Sequence, residues 1–311
     1  MKRGQKMETL EYSLLDVFTT TKFGGNQLAV FKSVSSLSNE TMQKIARELN
    51  LSETTFVFEP DDSEAHRKVK IFTPQMELPM AGHPTVGTAY VLASEGLIKT
   101  EEGKNTVIFE ENVGKITVDI FKENNRIVKV EMTQPVPEFG AVFDNEELAA
   151  ELLSLSVDDL DNRYPIQTVS AGVPFIYIPV KNLEAMERIK FRLDIWQDHF
   201  SGNEDTKHIF VLCPEVMNEG STVNSRMFAP AMGISEDPAS GAATGPLGAY
   251  LVKYGIAGQD QDGEYKLRSE QGIQMGRPSF IDIKVKVEKE EVSEVKIGGS
   301  CVEIGEGKLY L

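Results

Sequence analysis

Cysteine is nearly absent from this 311-residue chain, which holds only Cys213 and Cys301. Two cysteines cannot build a disulfide framework or, by themselves, a zinc site, and such sparing use fits a reducing compartment. Long apolar runs are missing too. No stretch approaches the roughly 18 apolar residues of a membrane-spanning helix. The basic start (Lys2, Arg3, Lys6) is followed by no apolar segment of the kind a secretory signal carries. Positive charge is in deficit, with 32 Lys and Arg against 48 Asp and Glu and a net charge of −16. Binding nucleic acid needs a basic face, so no nucleic-acid partner is expected. A small anionic substrate stays open, because it responds to the local field of a cleft rather than to the net charge. Also absent are a Walker loop, a dinucleotide fingerprint in its strand-to-helix setting, His-Glu-x-x-His and Gly-x-Ser-x-Gly, and with them the nucleotide, nicotinamide, zinc and serine-hydrolase readings. These absences describe a soluble, cytoplasmic protein without nucleic-acid or membrane partners.

The chain does contain a weak copy of itself. At 41% apolar residues it is an ordinary globular composition, and its length suggests two domains at roughly 150 residues each. Phe56-Val57-Phe58-Glu59-Pro60 is echoed by Phe210-Val211-Leu212-Cys213-Pro214, 154 positions on. Phe72-Thr73-Pro74 returns as Phe228-Ala229-Pro230 after 156, and Gly82-His83-Pro84-Thr85 as Gly241-Ala242-Ala243-Thr244 after 159. Three matches in one order, with slowly growing offsets, indicate a duplication.

Both halves read as the same series of elements. β-rich runs at 14–19 and 27–31 flank a Gly24-Gly25-Asn26 turn, and runs at 166–170 and 175–180 flank Ala171-Gly172. A helix follows each pair. The first is capped by Ser38, with Met42, Ile45, Ala46 and Leu49 on one face; the second shows the shorter stripe Leu183, Met186, Ile189. Next come strands at 54–58 and 69–72, matched by 208–212 and 223–228. A glycine loop then opens an apolar helix, 84–93 in one half and 242–252 in the other. Strands at 107–110, 115–121 and 127–133 close the first half, and 267–271, 280–287 and 292–297 the second. Pro135-Val136-Pro137 is the linker candidate. The first domain is then 1–137 and the second 138–301, with the end of the chain (302–311, strand-like from Lys308) returning to the first.

The two glycine loops share a design that suits an anion. A helix start exposes unpaired backbone N–H groups and a partial positive charge, and glycine lets the backbone come close to a ligand. Taken alone, each glycine could simply tighten a turn. Differences between the halves add to the reading. Glu53, just before the Phe-Val strand, has Lys207 as its counterpart; His83 has Ala242; and Asp237 precedes only the second loop. A symmetric two-base racemase would want matched groups, so this set suggests a single proton carrier, Glu53, with helpers. His66, His199 and His208 read as exposed or structural.

These motifs resemble a known family. Asp16-Val17-Phe18 with Gly25-Asn26, Leu51-Ser52-Glu53-Thr54-Thr55-Phe56-Val57, Phe72-Thr73-Pro74 with Glu77-Leu78-Pro79, and Ala81-Gly82-His83-Pro84-Thr85 are similar to blocks of the PhzF family of phenazine-biosynthesis-like isomerases. So are Glu236-Asp237-Pro238-Ala239-Ser240-Gly241 and Gln271-Gly272 with Met275-Gly276-Arg277-Pro278. The resemblance implies an α+β fold of the diaminopimelate-epimerase-like kind: two pseudo-symmetric domains, each a curved, mostly antiparallel sheet or barrel around a central helix. It implies a cofactor-independent isomerase, with no metal, that assembles as a homodimer. In the best-understood member the substrate is trans-2,3-dihydro-3-hydroxyanthranilate and a glutamate moves a proton between ring carbons. That glutamate matches Glu53; the substrate-binding positions match Gly82, His83, Asp237, Gly241 and Ala242.

Two departures from the family pattern stand out. Gln27 follows Gly25-Asn26 where the family commonly has proline. Ala242 stands where the family has a serine after the second glycine, so a substrate oxygen there must bind backbone N–H, water or Ser240. Diaminopimelate epimerases and proline racemases carry a cysteine before each loop glycine; here those positions are Ala81 and Ser240, so a thiol pair cannot operate. The expected function is a proton-relocating isomerase acting on a small carboxylate-bearing metabolite. The alternatives are a non-catalytic metabolite-binding protein on the same fold, and a hydratase or lyase using the same base.

Overall fold

The computed structural model describes residues 9–258 and 263–311, and the basic start of the chain lies outside them. In the first half, the strands are β1 (Thr9–Val17), β2 (Asn26–Phe31), β3 (Glu53–Phe58), β4 (Arg67–Phe72), β5 (Glu77–Leu78), β6 (Gly103–Glu111), β7 (Gly114–Glu123) and β8 (Arg126–Gln134). Helix α1 (Asn39–Leu49) lies between β2 and β3, and α2 (Gly82–Ser94) between β5 and β6. α1 starts where the Ser38 hydroxyl accepts the Thr41 N–H at 3.1 Å and stops at Asn50, whose φ of 51° is left-handed. Its one apolar face buries Met42, Ile45 and Ala46. α2 differs in being buried almost all round, as a helix at the centre of a sheet must be.

The second half repeats the plan. β9 (Glu138–Val142) and α3 (Glu146–Leu152) precede β10 (Gln167–Ser170), β11 (Pro174–Pro179), α4 (Leu183–Arg188), α5 (Leu193–His199), β12 (Ile209–Cys213), β13 (Val223–Ala229) and β14 (Ile234–Asp237). Then follow α6 (Gly241–Lys253), β15 (Gly263–Gln271), β16 (Ser279–Glu288), β17 (Glu291–Gly299) and β18 (Cys301–Tyr310). The pairing order is the same in both halves. β1 runs antiparallel to β2, β2 parallel to β3, β3 antiparallel to β4, β4 parallel to β6, and β6 to β8 form an antiparallel meander. β10 to β17 reproduce each of these relations. This is the α+β architecture the resemblance implies, with α2 and α6 as the two central helices.

β8 and β17 join the halves along an antiparallel ladder in which Val130 faces Gly299, Met132 faces Ile297 and Gln134 faces Val295. A shift of 165 positions carries the first of these pairs onto the last, so a pseudo-two-fold axis passes beside Met132 and Ile297. The strand after each meander then crosses over: β9 pairs with β10, and β18 with β1. β18 is longer than the sequence suggests, because Gly305 and Gly307 read as breaks. A side chain at Gly307 would meet the Tyr12 ring, with a Cβ only 2.4 Å from its Cζ, so that glycine serves the strand instead of ending it. β9 leaves no signal in the sequence, since its residues are mostly exposed and carry no apolar alternation. Among the described residues, no helix is long and apolar enough to cross a membrane.

Candidate active site

The glycines read as loop residues are the first residues of α2 and α6, and the two helix starts touch. A Cβ on Gly82 would lie 2.5 Å from the Cα of Gly241, and one on Gly241 would lie 2.7 Å from the Cα of Gly82. Only glycine permits so close a crossing of two backbones. The contact leaves no room for an anion directly between the glycines. The open space lies to one side, in a cavity of about 40 Å³ lined by Glu53, Gly82, His83, Asp237, Gly241 and Ala242, among others. All six residues singled out from the sequence therefore face one cavity between the halves. A volume near 40 Å³ holds a water or two, so a ring-sized ligand enters only as the walls part.

Three titratable groups meet there. Glu53 is the first residue of β3, set by its parallel pairing with Leu28; His83 is the second residue of α2; Asp237 ends β14. All three are buried. Oε2 of Glu53 lies 3.2 Å from Nε2 of His83 but off the line a hydrogen bond requires, and both atoms are buried without a partner. Burial pushes Glu53 well above the ordinary carboxylate range, and the charge of Asp237 pushes it further. Burial raises Asp237 to about 6, against hydrogen bonds from Ser240 and Asn26 that pull it down. Burial lowers His83 to about 3. Burial and the Asp237 charge thus favour the protonated form of Glu53, hydrogen bonds from Ser240 and Asn26 favour the ionised form of Asp237, and burial keeps the imidazole neutral.

Asn26, read from the sequence as a turn residue, stands at the centre of this set. Its fully buried amide nitrogen donates to Oδ1 of Asp237 at 2.7 Å and to the Ala239 carbonyl at 3.1 Å, and lies 3.2 Å from Nδ1 of His83. The turn that presents it is clamped from the other half: Arg277 donates to the carbonyls of Gly24 (2.7 Å) and Gly25 (2.9 Å) and pairs with Asp16 at 2.6 Å. The Ser240 hydroxyl donates to Oδ2 of Asp237, so it is not free to donate to a substrate in place of the missing serine. Gln271 donates to the Asp237 carbonyl at 2.7 Å and to the Ser240 hydroxyl oxygen at 3.1 Å. Partners 211 positions apart leave no local signal, and for Asn26 and Arg277 only their presence in the motif blocks could have pointed to them. Cys213 and Cys301 are buried on strands away from the cavity.

A duplicated α+β fold, with two central helix starts in contact and acid groups from both halves on one cavity, defines a protein of the diaminopimelate-epimerase-like fold. Comparison with known proteins narrows the class. The model of the family described as phenazine biosynthesis-like protein matches residues 15–307. An uncharacterized isomerase of Clostridium acetobutylicum is 38% identical over 96% of this chain and 97% of its own. The trans-2,3-dihydro-3-hydroxyanthranilate isomerase of Pseudomonas fluorescens is 31% identical over 96% and 99%. The crystal structure of a phenazine biosynthesis protein of the PhzF family from Bacillus anthracis superposes with a TM-score of 0.88 at 30% identity, covering 98% of this chain and all of that one. The chain belongs to the PhzF family of phenazine-biosynthesis-like isomerases.

Proposed function

We propose that this protein is an isomerase that relocates a proton on a small carboxylate-bearing substrate, with Glu53 as the proton carrier. The observation that carries this reading is the unpartnered pair, Glu53 Oε2 and His83 Nε2, buried on one cavity. Buried polar atoms ordinarily find partners, and the exceptions call for a reason; a substrate that hydrogen-bonds to both supplies one. The starts of α2 and α6 offer N–H dipoles to its carboxylate or to a developing oxyanion. Asp237, held by Asn26 and Ser240, orients it. Glu53 must shed its proton before it can act as a base. Apart from burial, the charge of Asp237 is what holds that proton, so a substrate group that neutralises Asp237 brings Glu53 closer to its working range.

Ala242 puts a methyl on the cavity wall where the family pattern has a hydroxyl, and this favours a substrate other than the Pseudomonas enzyme's dihydrohydroxyanthranilate. A homodimeric assembly, which rests on the family resemblance, and a cytoplasmic location, which rests on the sparing use of cysteine, belong to the same proposal. The test is proton NMR in D₂O, with trans-2,3-dihydro-3-hydroxyanthranilate and a panel of small unsaturated and hydroxy acids. Turnover without gain or loss of water is expected, reduced ~10²–10⁴-fold in Glu53→Gln. A near wild-type rate in that variant overturns the role of Glu53. Ligands that raise Tm without being turned over would identify a binding protein, and gain or loss of water a hydratase or lyase.

A further inference from the structure

A second buried carboxyl stands behind the helix start, and the proposed reaction does not use it. Glu111 ends β6, and its Oε1 lies 2.6 Å from Oγ1 of Thr85 in the first turn of α2. The same Thr85 oxygen lies 2.6 Å from the Ala81 carbonyl oxygen. A hydroxyl has one hydrogen to donate. The Ala81 carbonyl can only accept, and an ionised Glu111 could also only accept. One of two short contacts would then press two acceptors together with no hydrogen between them. An undissociated Glu111 satisfies both: it donates to Thr85, and Thr85 donates to Ala81.

The second half places a group that cannot ionise at the equivalent position, bonded to Ser240 directly instead of through the threonine. β6 and β15 are equivalent nine-residue strands, and where β6 ends in Glu111, β15 ends in Gln271. Thr244, the image of Thr85, donates to the Ser240 carbonyl at 2.8 Å. Gln271 accepts the Ser240 N–H at 3.2 Å and donates to the Ser240 hydroxyl. A carboxamide has the shape of an undissociated carboxyl and a donor on the same side. Each central helix therefore starts against a hydrogen-bonding side chain at the end of the equivalent strand, and in the second half that side chain is an amide.

We propose that Glu111 is a positioning residue that works as an undissociated carboxylic acid, fixing Ala81 through Thr85, and with it the Gly82–His83 start of α2, only while it keeps its proton. Burial raises it to about 8, opposed by Thr85 and with no contribution from a charged side chain. The titratable groups on the elements around it have other partners: Lys68 of β4 pairs with Asp61 and Glu110, Lys115 of β7 with Asp62 and Glu64, and Glu77 of β5 binds Asn39 and Asn112. His83, on α2, is neutral. Oε2 of Glu111 is buried without a partner, so an ionised carboxylate there would have Thr85 as its single donor. Because its value is raised from 4.5, its contribution to stability is full below about 4.5 and is lost as pH rises through about 8.

The effect on turnover rests on the function proposed above; the stability and spectroscopic effects do not. Infrared difference spectra at pH 7 between wild type and Glu111→Gln should show the loss of one undissociated carboxyl band. Glu111→Gln should keep its Tm at low pH and lose the fall in Tm that wild type shows between about pH 4.5 and 8, whereas Glu111→Ala lowers Tm at low pH by roughly 2–8 °C. With any substrate that is turned over, the alkaline decline of kcat should disappear in Glu111→Gln with KM little changed. An unchanged carboxyl band, or a Glu111→Gln variant as destabilised as Glu111→Ala, overturns the proposal. Inactivity on every substrate tried would count against the isomerase reading alone.

Discussion

Gly82 and Gly241 hold positions where a methyl group has no space, because each Cα is packed against the other's backbone. Gly82→Ala is expected to cost at least about 1–3 kcal/mol from overpacking, read as a lower urea midpoint with unchanged slope. His83 adds a pH effect of opposite sign to that of Glu111. Its value is lowered from 6.5 to about 3, so the folded state binds fewer protons, and stability is lost as pH falls below about 6.5. His83→Gln should flatten that acid limb in thermal melts, and an unchanged limb would show that the imbalance lies elsewhere. At this scale the sequence marks Glu53, His83 and Asp237 as candidates through the mismatch between repeats and the family blocks. It cannot show Asn26 at their centre or Glu111 behind the helix, because both act through contacts far apart in the chain.

The elements that can be read from the sequence are those with a strong pattern of their own: the α1 stripe, the apolar central helices and the meander strands. Those missed lack one. β9 is exposed, β5 has two residues, and Gly307 of β18 answers to Tyr12. Between elements, the β8–β17 seam carries ion pairs related by the pseudo-two-fold axis but opposite in sign. Asp119 pairs with Lys296 at 2.9 Å, and Glu131 with Lys284 at 2.8 Å. The shift of 165 positions carries Asp119 onto Lys284 and Glu131 onto Lys296. In identical halves the two contacts would be one pair made twice; here the first half supplies both carboxylates and the second half both lysines. Both carboxylates are held low by these lysines despite burial. Lys296→Met should destabilise the protein by about 1–3 kcal/mol, through a buried carboxylate that loses a charged donor. A neutral result in denaturant titration would assign the seam to its backbone ladder alone.

For the whole molecule, the consequence of the fold is that neither half contains the candidate site. Glu53 and His83 come from the first half and Asp237 from the second, and the turn bearing Asn26 is held by Arg277 across the boundary. The net charge of −16 bears little on such a site, since charges beyond about 8–10 Å are screened at physiological salt. Both thiols are buried, and burial raises them further from reactivity, Cys213 to about 11. Alkylation of the native protein should therefore be slow and become fast on unfolding; rapid native labelling would place a thiol at the surface. The coupling of the two halves can be read without any substrate, by carbon-13 NMR titration of the Glu53 side-chain carboxyl in wild type and in Asp237→Asn. Glu53 is expected to titrate well above its ordinary 4.5 in wild type and at a lower pH once the Asp237 charge is removed. A Glu53 that titrates near 4.5 in both proteins would contradict a shared, buried proton-transfer site.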